Sequence, residues 1–419
     1  MSRIFGIDFG TTNSVVAELG ADGQVTSRVF TQDGVSFETF RTVLCFWQEE
    51  SKGRPALRHA AGPAAVETYL EDPLEARLIM SMKTYLAQKS FTQTQIFGRS
   101  FTLEEMIALF LKALLGDDRE ARIVAGRPVR FAGEFADDAF GEARLRAAFA
   151  AAGLPEIETA YEPEAAGYRF IRALQRPAHV LVGDFGGGTS DFSILRFTPG
   201  AEVPIVTLAN TGVGIAGDSL DYRIIDNAIS PLLGKGDEYR VPMGKDMPIP
   251  IEYFTSFANW HKLSLMRSPR VLRDIEEVAK LAHKPQKLRN LLSLIKDESG
   301  YHLYQAVSRA KAELSRQEGT RLRFEHEDFT LDREIARAEF EGWIAPELGK
   351  LDACIQAVLD QAGMQASGID RVFLTGGTSF VPAVRGLFER RFGAESLSAG
   401  GEFVSVAEGL ALIGRDKGL

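Results

Sequence analysis

Two aspartates, Asp8 and Asp184, each head a short glycine-rich segment, and the residues that follow them suit one chemistry. The first segment is Gly6-Ile7-Asp8-Phe9-Gly10-Thr11-Thr12-Asn13-Ser14, and the second is Val182-Gly183-Asp184-Phe185-Gly186-Gly187-Gly188-Thr189-Ser190-Asp191. Glycines admit close backbone approach and positive φ. Bare N–H groups together with Thr and Ser hydroxyls make a cradle for phosphate oxygens. A carboxylate repels phosphate, so Asp8 and Asp184 make sense if a hydrated Mg²⁺ sits between them and the phosphates. Two such turns facing each other would grip a nucleoside triphosphate from both sides. One copy alone reads equally well as a plain turn between strands. The shared order Asp-Phe-Gly-x-x-x-Ser in both halves makes coincidence a poor explanation.

Further residues suit the same ligand, each with a plainer alternative beside it. Lys83 offers a point charge for a γ-phosphate, or is an ordinary surface lysine. Glu162, ahead of Pro163, either polarises a metal-bound or attacking water or complements a helix dipole. Leu374-Thr375-Gly376-Gly377-Thr378-Ser379 ends a strand in a Gly-Gly turn. That backbone could lie flat on a purine or ribose, or be a tight strand-to-helix turn. Lys311 and Ser315, four apart, share one helix face and could bond ribose hydroxyls or an adenine edge, or be solvated.

These residues need strands, turns and helices to hold them. Apolar runs flank both glycine segments, so each reads as strand, tight turn, strand. A Walker loop would need a lysine in the turn and a helix after it, and a Rossmann turn also opens a helix; neither fits. Further along, the pattern predicts a helix at 103–110, a strand at 122–129, a helix at 143–152 stopped by Gly153, and a helix from Pro163. In the second half it predicts strands over 179–211, a helix from Asp218, helices at 271–283, 285–296 and 306–316, and a Gly/Pro-rich loop at 235–250. Strand and helix in alternation predict an α/β fold.

The composition is that of an ordinary soluble globular protein. Of 419 residues, 45% are hydrophobic and 25% charged, and the formal net charge is −9. Such a balance offers no basic field for nucleic acid or anionic membrane. No apolar run reaches transmembrane length, and the chain enters a strand at once, which predicts no signal peptide. Cys45 and Cys354 are far apart without metal-ligand spacing, as expected of reduced cytoplasmic thiols. The six histidines (His59, His179, His261, His283, His302 and His326) form no cluster in sequence, and no metal role is expected of them.

Together the segments resemble the heat shock protein 70 (DnaK-type) family of the actin-like ATPase superfamily. The two aspartate-headed turns look like its phosphate motifs, and 374–379 looks like its adenosine motif. Glu162-Pro163-Glu164-Ala165-Ala166 looks like its connecting helix, and Ala310-Lys311-Ala312-Glu313-Leu314-Ser315 like its nucleoside helix. Gly126-Arg127-Pro128-Val129 is similar to short YegD-type chaperones. The resemblance implies two lobes, each on a ribonuclease-H-like mixed sheet, with ATP or ADP and Mg²⁺ in the cleft between them. Lobe I would span 1–178, with an insert at 31–118 and the segment 400–419 packed back on it. Lobe II would span 179–399, with a mostly helical insert at 228–305.

The resemblance also implies roles. Asp8 and Asp184 would hold Mg²⁺ through water. Gly10, Thr11, Thr12 and Asn13 would line the β- and γ-phosphates, faced by Gly186, Gly187, Gly188 and Thr189. Lys83 and Glu162 would position the attacking water, with Asp191 close by. Gly376, Gly377, Thr378, Lys311 and Ser315 would hold adenosine. Ser308 and Ala312 depart from the family's pattern, which implies looser adenosine binding. The chain stops at Leu419, so the expectation is a monomeric nucleotide-binding domain without the peptide-binding β-sandwich, slowly hydrolysing ATP as a chaperone-like switch, its client unnamed. A sugar- or polyol-type kinase and an actin-like filament or regulatory protein share the fold and are the alternatives.

Overall fold

Short apolar runs flank each glycine turn, and the strands they form are buried along most of their length on both faces. In the computed structural model Ile4–Phe9 pairs antiparallel with Asn13–Leu19, with Asp8 opposite Val15. Ala178–Phe185 pairs antiparallel with Ser190–Phe197, with Asp184 opposite Asp191. The structure describes residues 3–32, 34–51, 54–116, 118, 121–133, 135–241, 244–259, 263–297, 299–326, 329–398 and 404–419.

Each hairpin sits inside a sheet of the same plan. In the first, the order is Glu158–Tyr161, Arg122–Arg127, Ile4–Phe9, Asn13–Leu19, Val25–Ser27, and Phe40–Arg41 also pairs with Asn13–Leu19. In the second, the order is Ile205–Val213, Ser190–Phe197, Ala178–Phe185, Arg371–Thr375, Leu397–Ser398. In both, three consecutive strands pair antiparallel and two later strands add in parallel to the first. The duplication visible in the two glycine turns is therefore a duplication of topology. This mixed α/β architecture is that of an actin-like ATPase fold.

Burial explains why the first strand is fixed so firmly. Phe5, Ile7 and Phe9 join a fully enclosed cluster with Ile107, Phe110 and Leu111 of the helix Leu103–Leu115. That helix starts at a reciprocal cap, in which the Thr102 side chain accepts from the Glu105 N–H and the Glu105 carboxylate accepts from the Thr102 N–H. The opposite side of the strand receives the C-terminal helix Ser405–Asp416. A Cβ on Gly6 would lie 2.0 Å from the Ala407 carbonyl oxygen, and one on Gly409 would lie 1.7 Å from the Ala165 carbonyl oxygen. Glycine at both positions lets the C-terminal helix press on the first strand and on the helix Glu162–Ile171 together.

The chain divides into two compact units, 1–217 with 349–419, and 218–348. Both five-strand runs belong to the first unit. The second unit carries the helices Pro269–Leu281, Pro285–Lys296 and Gly300–Leu314 and the hairpin Gly319–Glu325 with Thr330–Ala336. Among the described residues, no helix is long and apolar enough to cross a membrane.

Several expectations need correction. The stretch 235–250, read as a loop, holds a short hairpin, Glu238–Arg240 paired with Asp246–Pro248. Three-residue strands give no run long enough to show a period, so composition alone hid them. The helix read from Ala306 starts at Gly300, because Tyr301, Leu303 and Tyr304 are buried on its first turns. The helix at Gly217–Ile224 continues into a wider π-type turn over Ile225–Ile229.

Candidate functional site

The site in the first unit is assembled from four segments far apart in sequence. The strand Ala76–Met80 ends at Ser81, whose φ of 56° and ψ of 33° place it in the left-handed region. This reversal feeds the one-turn helix Met82–Tyr85 and carries Lys83 inward. The Lys83 Nζ donates to Glu162 Oε1 at 2.6 Å, with side chains only 9% and 6% exposed. Lys83 is thus no surface lysine. Glu162 opens the helix Glu162–Ile171, with Pro163 in its first turn. Burial alone would lower the Lys83 pKa, but the Glu162 and Asp8 carboxylates outweigh it and hold the pKa above the ordinary lysine range.

Around this pair stand the carboxyl groups of both hairpins. Burial and then the Glu162 charge push Asp8 up to about 7. Burial, followed by Glu162, Asp8 and Asp191, pushes Asp184 well above the usual carboxylate range. Asp191 is raised to about 7 by burial and then by Glu162. Its Oδ1 accepts from the backbone N–H of Val129 at 2.9 Å and of Arg130 at 3.1 Å. Asp191 thereby ties the chain leaving the strand Arg122–Arg127 to the second hairpin.

The turns are held by their own bonds. The Gly186 N–H donates to the Thr189 carbonyl at 2.9 Å, closing the second turn. The Thr42 N–H donates to the Thr12 carbonyl at 2.9 Å, and the Ser14 and Thr42 hydroxyls lie 2.8 Å apart, bracing the first turn. Gly376 has φ of 84°, and a Cβ there would lie 2.0 Å from the Phe185 carbonyl oxygen. The Gly376-Gly377 turn therefore rests directly on the second hairpin. A Cβ on Gly377 would meet nothing within 4 Å, so this backbone faces open space. Thr378 is buried beside it.

The structure thus sets Asp8, Asp184 and Asp191 each within electrostatic reach of the Lys83–Glu162 pair, with the turns Gly10–Asn13 and Gly186–Thr189 on the hairpins that carry the three aspartates. Lys311 and Ser315 lie in the second unit. There Lys311 Nζ is 2.9 Å from Asp221 Oδ2, and the Ser315 hydroxyl donates to the Lys311 carbonyl at 3.1 Å. Ser308 and Ala312 share that helix.

Sequence reading missed several residues. Arg144 is buried and its guanidinium donates to the Glu104 carboxylate and to the carbonyls of Tyr85 and Phe91. It thereby clamps the stretch that follows Lys83, and only an arginine within an otherwise alanine-rich helix could have signalled it. Val129 and Arg130 act through backbone N–H groups, which no side-chain motif reveals. Thr42 and Thr84 stood in no motif. One histidine takes part in an exposed grouping that sequence spacing does not show. His283, Asp246 and Glu238 bring one ligand atom each within 4.8 Å of one another on an exposed face of the second unit, where His283 Nε2 is 3.2 Å and Arg240 Nε 3.9 Å from Asp246. The hairpin missed at 238–248 creates that grouping. His261 lies outside the described residues.

The donor set fits a divalent cation with phosphates. Asp8, Asp184 and Asp191 stand near the Lys83–Glu162 pair, their pKa values raised first by burial and then by neighbouring carboxylates, and a cation there would favour their charged forms. The Thr84 hydroxyl is buried without a hydrogen-bond partner among the described residues. The missing Cβ of Gly188 leaves a gap lined by Thr11 and Thr84 hydroxyls.

The family model described as Hsp70 protein matches residues 278–415 of this chain. The match takes in Lys311, Ser315, Gly376 and Gly377 and leaves out both glycine hairpins, Lys83 and Glu162. Over that stretch the chain is similar to the Hsp70 family.

Proposed function

We propose that this chain binds ATP with Mg²⁺ between its two glycine hairpins and hydrolyses it slowly, as a nucleotide switch of the Hsp70 kind. The single observation that carries the reading is the buried Lys83–Glu162 pair set among the aspartates of both hairpins. In this reading residues 1–178 supply the first hairpin, Lys83 and Glu162, and residues 179–399 supply the second hairpin and the Gly376-Gly377 turn. The protein acts as a monomer in the cytoplasm, close in design to the YegD-type chaperones.

Bound Mg²⁺, held through water by Asp8 and Asp184, would neutralise phosphate charge. The backbone N–H groups and hydroxyls of Gly10–Asn13 and Gly186–Thr189 orient the β- and γ-phosphates. Lys83 holds a positive charge against the terminal phosphoryl group at every physiological pH, because Glu162 keeps it protonated. Glu162 in turn orients Lys83 and accepts a hydrogen bond from the attacking water. Asp191, pinned by Val129 and Arg130, has a pKa suited to taking the proton that water releases. Gly376 and Gly377 accept the flat face of adenosine. Catalysis of this kind is positional and electrostatic, with water attacking in line.

Single-turnover conversion of ATP to ADP tests the reading. Wild-type protein forms ADP and phosphate in a Mg²⁺-dependent reaction, and Lys83→Ala binds ATP without converting it. Wild-type conversion by Lys83→Ala removes that residue from the mechanism.

A further inference from the structure

Lys83 and its neighbour Thr84 lie on the same one-turn helix, Met82–Tyr85. With three residues per turn, successive side chains diverge by about 120°. Lys83 turns to Glu162, and Thr84 turns elsewhere. Its Oγ1 is buried and has no hydrogen-bond partner among the described residues. A threonine on a helical turn ordinarily bonds back to a carbonyl of the preceding turn. Leaving a buried hydroxyl unsatisfied is unfavourable, so the orphan needs a reason.

What Thr84 faces supplies one. A Cβ built on Gly188 of the second hairpin would lie 3.4 Å from Thr11 Oγ1, 3.7 Å from Ala132 Cβ and 3.7 Å from Thr84 Oγ1. Two hydroxyls from separate segments thus converge on the side of the loop that carries no side chain. The segment bearing Thr84 is held in place from both ends. Ser81 takes a left-handed backbone just before it, and the Thr84 N–H donates to the Ser81 carbonyl at 3.0 Å. After it, Arg144 Nη1 donates to the Tyr85 carbonyl at 3.3 Å and the Phe91 carbonyl at 3.1 Å. Gln88 Nε2 donates to the Thr84 carbonyl at 3.0 Å. Such bracing suits a hydroxyl that must point one way. A residue held in a sparsely populated conformation persists only where its surroundings enforce it.

We propose that Thr84 is a specificity-determining residue: its hydroxyl donates to the terminal phosphate of a nucleoside triphosphate and so distinguishes triphosphate from diphosphate. The proposal rests on the nucleotide-site reading above. Lys83 supplies charge that both nucleotides feel. Thr84 supplies a directional bond that only the third phosphate can accept, opposite Thr11 and beside Gly188.

Calorimetric titration of the full chain with a non-hydrolysable ATP analogue and, separately, with ADP tests this by binding alone. Thr84→Val keeps the shape and removes the donor, Thr84→Ala removes both donor and bulk, and Thr84→Ser keeps the donor. Thermal unfolding of each establishes which variants are folded. The expected result is that Thr84→Val and Thr84→Ala lose roughly ten-fold or more in analogue affinity, the usual scale of a hydrogen bond to a charged group, while ADP affinity stays within two-fold. Thr84→Ser keeps the wild-type ratio. An unchanged ratio in the folded donor-less variants overturns the proposal, as does an equal loss for both nucleotides. Failure of the wild-type chain to bind either nucleotide is a different result, which overturns the nucleotide reading itself.

Discussion

Lys83 Nζ lies 2.6 Å from Glu162 Oε1, although 79 residues separate them in sequence. Both are nearly sealed from solvent, and breaking a buried pair from one side strands the other charge. Lys83→Ala should therefore destabilise the chain by about 3–5 kcal/mol. Lys83→Met with Glu162→Gln removes both charges together and should recover most of that loss. Neither variant should hydrolyse ATP, which separates the structural role of the pair from its chemical role. Denaturant unfolding with the single-turnover assay checks both. A double variant no more stable than the single would contradict the pairing.

The aspartates make the ligand-free chain sensitive to pH. Asp191 has a pKa near 7 when folded, against 3.8 for an unperturbed aspartate, so the folded state holds this proton more tightly. The stabilisation it contributes is complete below about pH 3.8 and is lost as pH rises through about 7. Asp8, also near 7, acts in the same direction. The midpoint of thermal unfolding of the ligand-free protein should carry a downward contribution between about pH 4 and pH 7. Asp191→Asn should flatten that slope. A slope identical to wild type in Asp191→Asn would sink the assignment.

Asp8 sits opposite Val15 on the first hairpin, with burial and Glu162 acting against its charge. If it holds Mg²⁺ through water, Asp8→Asn should abolish the Mg²⁺-dependent part of ATP binding and leave the metal-free affinity largely unchanged. Comparing titrations with Mg²⁺ and with a chelator reads this directly. Equal Mg²⁺ enhancement in variant and wild type would rule out the role.

Gly409 has no room for a side chain, since a Cβ would lie 1.7 Å from the Ala165 carbonyl oxygen and 2.4 Å from its carbon. These are backbone atoms of the helix that begins at Glu162, and they cannot swing aside. Gly409→Ala should destabilise by about 1–3 kcal/mol or more, the range for overpacking, despite alanine's better helix propensity. It should also slow hydrolysis, because separating the helices shifts Glu162. Increased stability in chemical unfolding would show that the two helices pack more loosely than described.

The hairpins were readable because glycine, aspartate and flanking apolar runs act locally, within a few residues. Lys83 and Glu162 were legible as candidates but not as partners, since nothing in sequence shows that a turn after Ser81 and a helix start 79 residues on converge. The bonds from Val129 and Arg130 to Asp191 were invisible for a different reason, being made by backbone groups. Thr84 escaped notice because a threonine's meaning depends on whether its hydroxyl finds a partner, which only the packed chain decides. The hairpin Glu238–Arg240 with Asp246–Pro248 was too short to show a period, and with it went the proximity of His283 to Asp246. The repeated sheet order, by contrast, could be anticipated from the repeated turn.

The central claim is that the paired hairpins form a working nucleotide clamp. Calorimetric titration of nucleotide-stripped protein with ATP, with and without Mg²⁺, tests it most directly. The account predicts saturable one-to-one binding that tightens when Mg²⁺ is present. Absence of binding under both conditions would contradict it and withdraw every role assigned to Asp8, Lys83, Glu162, Asp184 and Asp191.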